Sequence, residues 1–304
     1  MKHIAGGVYP TMITPYKNGE IDYGAVKKLV DWYIEKGCNG IFAVCQSSEM
    51  AFLSLKERIK LAETVVRQAD GRVNVVTSGH VSTTIDEQAE EITEISKTGI
   101  DAFVLVSNRF DLHNDGDDVW LENVKAVLDK AKFDVPLGIY ECPTPYKRLL
   151  TTKILNWCKE DGRFEFIKDT CCNPDMLIER IELLKGSNIK LYNANGQTLL
   201  HSLQHGAFGY SGIMANFHPD LYAWLCENFE KEPEKAEVLS DILSMASFTE
   251  GPAYPNTAKY YLNLEGIPMD IYSRSSDSKK LTEYQKVIMK QLYDLNTYLR
   301  EKGV

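Results

Sequence analysis

Leu137-Gly138-Ile139-Tyr140 and Phe164-Glu165-Phe166-Ile167-Lys168 are short apolar runs, each ending on a side chain able to do chemistry. Runs of this length and composition read as strands of a buried sheet. Six more stand along the chain, so candidate strands occupy 4–9, 40–44, 73–77, 102–106, 135–140, 164–168, 189–193 and 207–211. Amphipathic stretches alternate with them. Between the first two strands Val26, Leu29, Val30, Tyr33 and Ile34 recur at helical spacing, opened by Asp22 and closed by Gly37. Ser54 with Glu57, and Thr84 with Glu87, have the spacing of capping boxes for the next two helices. An open doubly wound sheet accounts for six of the strands. Eight, each followed by a helix pattern, select a parallel sheet closed on itself: the (β/α)8 or TIM barrel of the α/β class.

Beyond about residue 225 the strand signals stop. Segments 233–247, 254–264 and 281–300 are helix-like, the first two separated by Glu250-Gly251-Pro252-Ala253-Tyr254-Pro255. The expected organisation is a barrel over 1–228 and a C-terminal helical extension over 229–304. A length of 304 residues buries enough surface to need neither a disulfide nor a metal for stability. The 43 acidic residues outnumber the 34 Lys and Arg, for a formal net charge of -9. That balance argues against nucleic acid and anionic membranes as partners, but not against a small anion in a local pocket. Seven cysteines, an odd number in no C-x-x-C array, suit a reducing cytosol. The first residues lack a signal peptide's apolar core, and no apolar run is long enough to span a bilayer. The expectation is a cytoplasmic enzyme.

In such a barrel chemistry gathers at the C-terminal ends of the strands. Those positions are Gln46-Ser47-Ser48-Glu49, Tyr140-Glu141, Lys168-Asp169-Thr170, Asn193-Ala194-Asn195 and Ser211-Gly212. Lys168 stands out because it ends an apolar run, where a cation is costly to desolvate. Desolvation lowers a lysine's pKa, and the neutral amine can attack a carbonyl. The bland alternative is a strand-end lysine paired with Asp169 or Glu165 at the surface. Tyr140 ends the neighbouring strand and could shuttle protons there, or be a core tyrosine with its hydroxyl at the rim.

Taken together these stretches resemble the dihydrodipicolinate synthase/N-acetylneuraminate lyase family of pyruvate-dependent class I aldolases. Gly7-Val8-Tyr9-Pro10-Thr11-Met12-Ile13-Thr14-Pro15-Tyr16 is similar to the family's opening, and Cys45-Gln46-Ser47-Ser48-Glu49 stands where it has G-T-T-G-E. Tyr140-Glu141-Cys142-Pro143 resembles Y-N-x-P, and Ile167-Lys168-Asp169-Thr170 the lysine motif. Residues 206–212 with Asn216 resemble the strand 8 motif. The resemblance implies a Schiff base between Lys168 and a 2-oxo acid, with Tyr140 moving protons. It assigns the substrate carboxylate to Ser47 and Ser48, beside Gln46, Thr170, Ser211 and Gly212. No metal and no organic cofactor is implied. It also implies a homo-oligomer, a tetramer built from dimers or a dimer.

Several positions depart from the family's pattern. The strand 4 loop, Val106-Ser107-Asn108-Arg109-Phe110-Asp111, lacks the tyrosine that completes a hydroxyl relay, and Pro145 stands where the synthase carries a substrate-binding arginine. After strand 7, Asn195-Gly196-Gln197 replaces the acidic residues of the neuraminate lyases. These departures favour aldol cleavage, condensation or dehydration of a 2-keto-3-deoxy sugar acid. The synthase of lysine biosynthesis, N-acetylneuraminate lyase and a non-catalytic 2-oxo acid-binding barrel are the alternatives. Arg109, Glu141, Asn195 and Gln197 are expected to cluster over the mouth and select a polar aldehyde. His201 and His205 lie one turn apart but lack the glutamate of a zinc motif, so they read as helix surface, and Cys171-Cys172 read as buried thiols.

Overall fold

The computed structural model describes residues 3–251 and 253–303; Met1, Lys2, Pro252 and Val304 lie outside it, and with them part of the expected N-terminal and 250–255 readings. Eight parallel strands form one sheet: β1 (Gly7–Val8), β2 (Gly40–Ala43), β3 (Asn74–Thr77), β4 (Ala102–Val106), β5 (Leu137–Tyr140), β6 (Phe164–Asp169), β7 (Lys190–Asn193) and β8 (Gly209–Tyr210). Each strand pairs with its successor from β2 to β8, and β8 pairs back to β1. The remaining seam closes irregularly, Asn39 N–H donating to Val8 O at 3.0 Å and Phe42 N–H to Pro10 O at 3.0 Å. This is the expected (β/α)8 barrel.

The helices alternate with the strands as α1 (Tyr23–Glu35), α2 (Leu55–Ala69), α3 (Ile85–Ser96), α4 (Asp117–Lys130), α5 (Thr152–Asp161), α6 (Pro174–Leu184), α7 (Leu199–Gln204) and α8 (Pro219–Asn228). Three more follow: α9 (Pro233–Ala246), α10 (Asn256–Leu264) and α11 (Glu283–Glu301). The capping signals act where the spacing placed them. Asp22 Oδ1 accepts from Gly24 N–H and Ala25 N–H, and Ser54 and Glu57 form a reciprocal box. At Thr84 only half of a box forms: its hydroxyl accepts from Glu87 N–H, but the Glu87 carboxylate takes the Thr84 hydroxyl rather than its amide.

Alternation along β6 decides what fills the barrel. Phe166 and Lys168 are two residues apart and so share a face. Phe166 stacks on Tyr192 with ring centroids 4.5 Å apart and meets Tyr9 at 5.5 Å and Phe42 at 6.0 Å. Room for these rings comes from small neighbours; a Cβ on Gly40 would lie 2.0 Å from the Tyr9 ring. Each ring so buried stabilises the fold by roughly 1.5–3 kcal/mol. The interior is therefore a packed aromatic plug, and it forms the floor on which Lys168 stands.

Among the ion pairs that tie the C-terminal helices to the barrel, such as Arg300 with Asp220, one is fully buried. Glu49 follows β2, and its Oε1 lies 3.1 Å from Lys259 Nζ of α10, both side chains being fully buried. The other oxygen, Oε2, accepts from the backbone N–H groups of Arg274 and Ser275. Lys259 Nζ also donates to Tyr272 O. Burial pulls the Lys259 amine down to about 8, with Glu49 acting against it. Removing one partner strands a buried charge, at a cost of roughly 3–5 kcal/mol. Glu49→Gln or Lys259→Met should each lower unfolding stability by about that much in urea titrations, and the double variant should lose less than the sum of the two.

Candidate active site

A cavity of about 370 Å³ opens at the C-terminal ends of the strands. Its walls bring together Gln46, Ser47, Tyr140, Lys168, Thr170, Asn195 and Gly212 from the sequence-derived set. Lys168 pairs in register with Tyr140 across β5 and β6, and its Nζ sits 4.2 Å from the centroid of the Tyr140 ring. Only 4% of Lys168 is exposed. Its amine makes no hydrogen bond or ion pair among the described residues. The two carboxylates that could have paired with it are engaged elsewhere: Asp169 holds Arg180, and Glu165 faces His3 and Ile4 N–H. Burial therefore prevails and pulls the Lys168 pKa down to about 8, while Cys45, Cys142 and Glu250 act in the opposite direction. Burial also drives the Tyr140 phenol far above its ordinary value, so it stays protonated as a donor.

The turn after β2 leaves backbone donors unengaged beside the cavity. Val44 and Glu49 both have positive φ, 49° and 63°, and between them the chain turns back sharply. The backbone N–H groups of Gln46 and Ser47 make no hydrogen bond among the described residues. Ser47 Oγ is at the cavity wall and donates to Thr11 Oγ1 at 3.2 Å. Ser48 instead lies beneath the turn, its hydroxyl donating to Met12 O at 2.6 Å and accepting from Cys45 N–H. Across the cavity Gly212 is held to its identity, since a Cβ there would lie 2.2 Å from Tyr210 Oη and 2.6 Å from Ala194 O. Ser211 is buried beside it, with its hydroxyl unpartnered.

The expected cluster of Arg109, Glu141, Asn195 and Gln197 does not assemble over the mouth. Arg109 is half-buried, donating to Val81 O at 3.2 Å, and is not part of the cavity wall. Glu141 is fully buried below it, because Arg180 on α6 draws the carboxylate in at 2.9 Å. There it accepts from Leu150 N–H and Thr170 N–H, so it braces Thr170 from behind. Burial and the neighbouring Asp169 push its carboxyl up, and Arg180 opposes them. Gln197 donates to Ser247 Oγ and accepts from Asn195, leaving Asn195 alone of the four on the wall. Cys171 and Cys172 also depart from expectation. Thr170 is tethered to Glu141 and Asn173 caps α6, so the chain between them runs outward; Cys171 is half-buried and Cys172 is exposed at the cavity rim. Of the two histidines, His201 is half-buried on α7 and His205 is exposed at the helix's C-cap.

Sequence reasoning missed Glu250, Tyr254 and Ser275, which reach the cavity from the C-terminal segment, and Lys147 from the loop after β5. No local pattern marks them. Tyr254 receives a hydrogen bond from Asn216 Nδ2 at 3.3 Å, which fixes its ring beside Ser47. Asn216 itself had been singled out within the strand 8 motif.

Residues 5–294 match the Dihydrodipicolinate synthetase family. The chain is 26% identical over 270 residues to the 4-hydroxy-tetrahydrodipicolinate synthase of Methanococcus maripaludis, covering 86% of this chain and 89% of the relative. It is 28% identical over 265 residues to that of Parvibaculum lavamentivorans, covering 86% and 88%. Among solved structures, a dihydrodipicolinate synthase from Bacillus anthracis superposes with a TM-score of 0.86 at 21% identity, covering 96% of this chain and 99% of that one. A prophage protein of the dihydrodipicolinic acid synthase family from Escherichia coli, solved in complex with pyruvate, gives 0.85 at 21% identity, covering 96% and 98%. These two likenesses show the shared fold.

The isolation of Lys168 makes its titration measurable. In competitive labelling with an amine reagent, Lys168 should gain reactivity as pH rises through about 8, as its neutral fraction grows, and then level off. Unperturbed lysines gain theirs around 10.4. Mass spectrometry of labelled peptides reads the two midpoints; a Lys168 midpoint at the unperturbed value contradicts the assigned burial.

Proposed function

The chain belongs to the dihydrodipicolinate synthetase family, and from that premise we propose that it is a lyase acting through a Schiff base on Lys168, with pyruvate or a larger 2-oxo acid as the ketone. One observation carries this reading: an unpaired, desolvated amine at a barrel strand end, facing a cavity beside a protonated tyrosine. The neutral amine adds to the ketone carbon, and the carbinolamine loses its hydroxyl as water. Tyr140 is assigned to supply that proton and to recover it later. The iminium then withdraws electrons from the adjacent carbon. The bond to the next carbon breaks to release an aldehyde, or forms when the enamine attacks one, and water finally restores the amine.

The substrate carboxylate is assigned to the free N–H groups of Gln46 and Ser47 and to the Ser47 hydroxyl, with Ser48 holding the turn from below. Such donors bind an anion without net positive charge, in keeping with a chain of charge -9. Thr170, Asn195 and Gly212 are assigned to the wall around the ketone, with Ser211 buried beside Gly212. The preferred substrate class is a 2-keto-3-deoxy sugar acid, supported by Pro145 and by the absence of a tyrosine from residues 106–111. A second reading, 4-hydroxy-tetrahydrodipicolinate synthase, is supported by the relatives' names and by Lys147, a cation on the loop after β5 that faces the cavity. Free thiols throughout the described residues support a cytoplasmic setting, and the family likeness supports a homo-oligomer.

Borohydride added to the protein with pyruvate should leave a permanent adduct on Lys168, and Lys168→Arg should leave none. Tyr140→Phe should still be trapped while turnover falls roughly 10²–10⁴-fold. Turnover of aspartate semialdehyde with pyruvate, against cleavage of 2-keto-3-deoxy sugar acids, separates the two readings. An adduct at any residue other than Lys168 refutes both.

A further inference from the structure

The cavity holds two charged side chains that the protein leaves without a partner. One is Lys168. The other is Glu250, whose carboxylate makes no hydrogen bond or ion pair among the described residues although it lines the same cavity and is half-buried. Its neighbours on the wall are already engaged: Thr170 with Glu141, Asn195 with Gln197 and Thr198, Gln46 with Cys142. A half-buried carboxylate with no protein donor beside it is an unused acceptor at the cavity wall, and a bound hydroxyl would satisfy it.

Glu250 is also held in place. Its carbonyl accepts from Thr257 Oγ1 at 3.2 Å, and its amide donates to Ser247 O at 3.4 Å. Ser247 is in turn tied through Gln197 to Asn195 on the β7 loop. Lys168 and Glu250 feel each other's charge yet form no ion pair, so a gap separates them. A molecule condensed with Lys168 at its ketone carbon would extend across that gap.

Resting on the Schiff-base reading, we propose that Glu250 is a specificity-determining residue that accepts hydrogen bonds from hydroxyl groups on the carbons beyond the bond being made or broken. The substrate class is then a hydroxylated 2-oxo acid rather than a plain aliphatic one. A carboxylate can accept from two adjacent hydroxyls at once. A second carboxylate at the far end of the ligand would be repelled by it.

The test compares three 2-oxo acids in borohydride trapping at Lys168: pyruvate, 2-oxohexanoate, and 2-keto-3-deoxygluconate, which has the same six-carbon chain with hydroxyls at its far end. The concentration that half-saturates trapping is read by mass for wild type, Glu250→Gln and Glu250→Ala. In the wild type the hydroxylated acid should half-saturate at a concentration about ten- to a hundredfold lower than 2-oxohexanoate. Glu250→Ala should erase that ratio, and Glu250→Gln, which keeps one accepting oxygen, should retain part of it. Equal half-saturation by the two six-carbon acids in the wild type overturns the proposal. So does a ratio that survives in Glu250→Ala. Absence of any pyruvate adduct in the wild type removes the Schiff-base reading itself, and the proposal falls with it. Thermal unfolding of each variant checks that the fold is intact, and Glu250→Gln carries the comparison if the alanine variant fails to fold.

Discussion

The Glu49 carboxylate is where the barrel and the C-terminal segment meet. One oxygen is held by Lys259, the other by two backbone N–H groups of the 272–275 stretch. All three partners belong to the last fifth of the chain. Glu49 also ends the turn that carries Gln46 and Ser47, so a single side chain relates that turn to Tyr254 and Ser275. The pair is sealed from water, where a charge pair is strong but an orphaned charge is severely unfavourable. The position of the cavity roof thus depends on an interaction that cannot loosen gradually. Arg274 reinforces it from outside, clasping Glu57 through two hydrogen bonds of 2.9 and 3.1 Å.

A second constraint works from below. Lys168 stands on packed rings from three strands and from Tyr9 just beyond β1, and among the described residues no carboxylate is within pairing distance of its amine. Arg180 is responsible for much of this. By gathering Asp169 and Glu141 on the far side of β6, it removes from the cavity the acid next to Lys168 and the acid next to Tyr140. Burial is the main cause of the lowered pKa of Lys168, and the placement of its neighbours' charges leaves that burial without an ion pair to offset it.

The barrel was legible because each strand is a contiguous apolar run and each helix carries its own periodicity and caps. The Lys168–Tyr140 pair was legible for the same reason: adjacent strands, each ending on one polar residue. Glu141 misled because one residue's step along a strand reverses the face on which a side chain lies, and the partner that captures it, Arg180, is on another element. Cys171 and Cys172 misled because an apolar-looking composition says nothing of a backbone pulled outward by its tethers. Glu250, Tyr254 and Ser275 had no local signal at all. They are brought to the mouth by contacts spanning some two hundred residues, and such contacts are encoded in packing rather than in spacing.

The seam between β1 and its neighbours has a consequence for how the chain reaches this state. Its pairings join Gly7 to Gly209 and Val8 to Tyr210, the most distant contacts in the sheet. A chain emerging from a ribosome presents β1 first and β8 only some two hundred residues later. Until then β1 has no partner on one side, and β2 offers it only the irregular bonds at Val8 and Pro10. Loop closure over such a separation carries an entropic cost that no local interaction offsets in advance. Ring closure is therefore a late event in folding, and an unfinished open sheet with an unpaired edge is the species that a nascent chain must keep from aggregating.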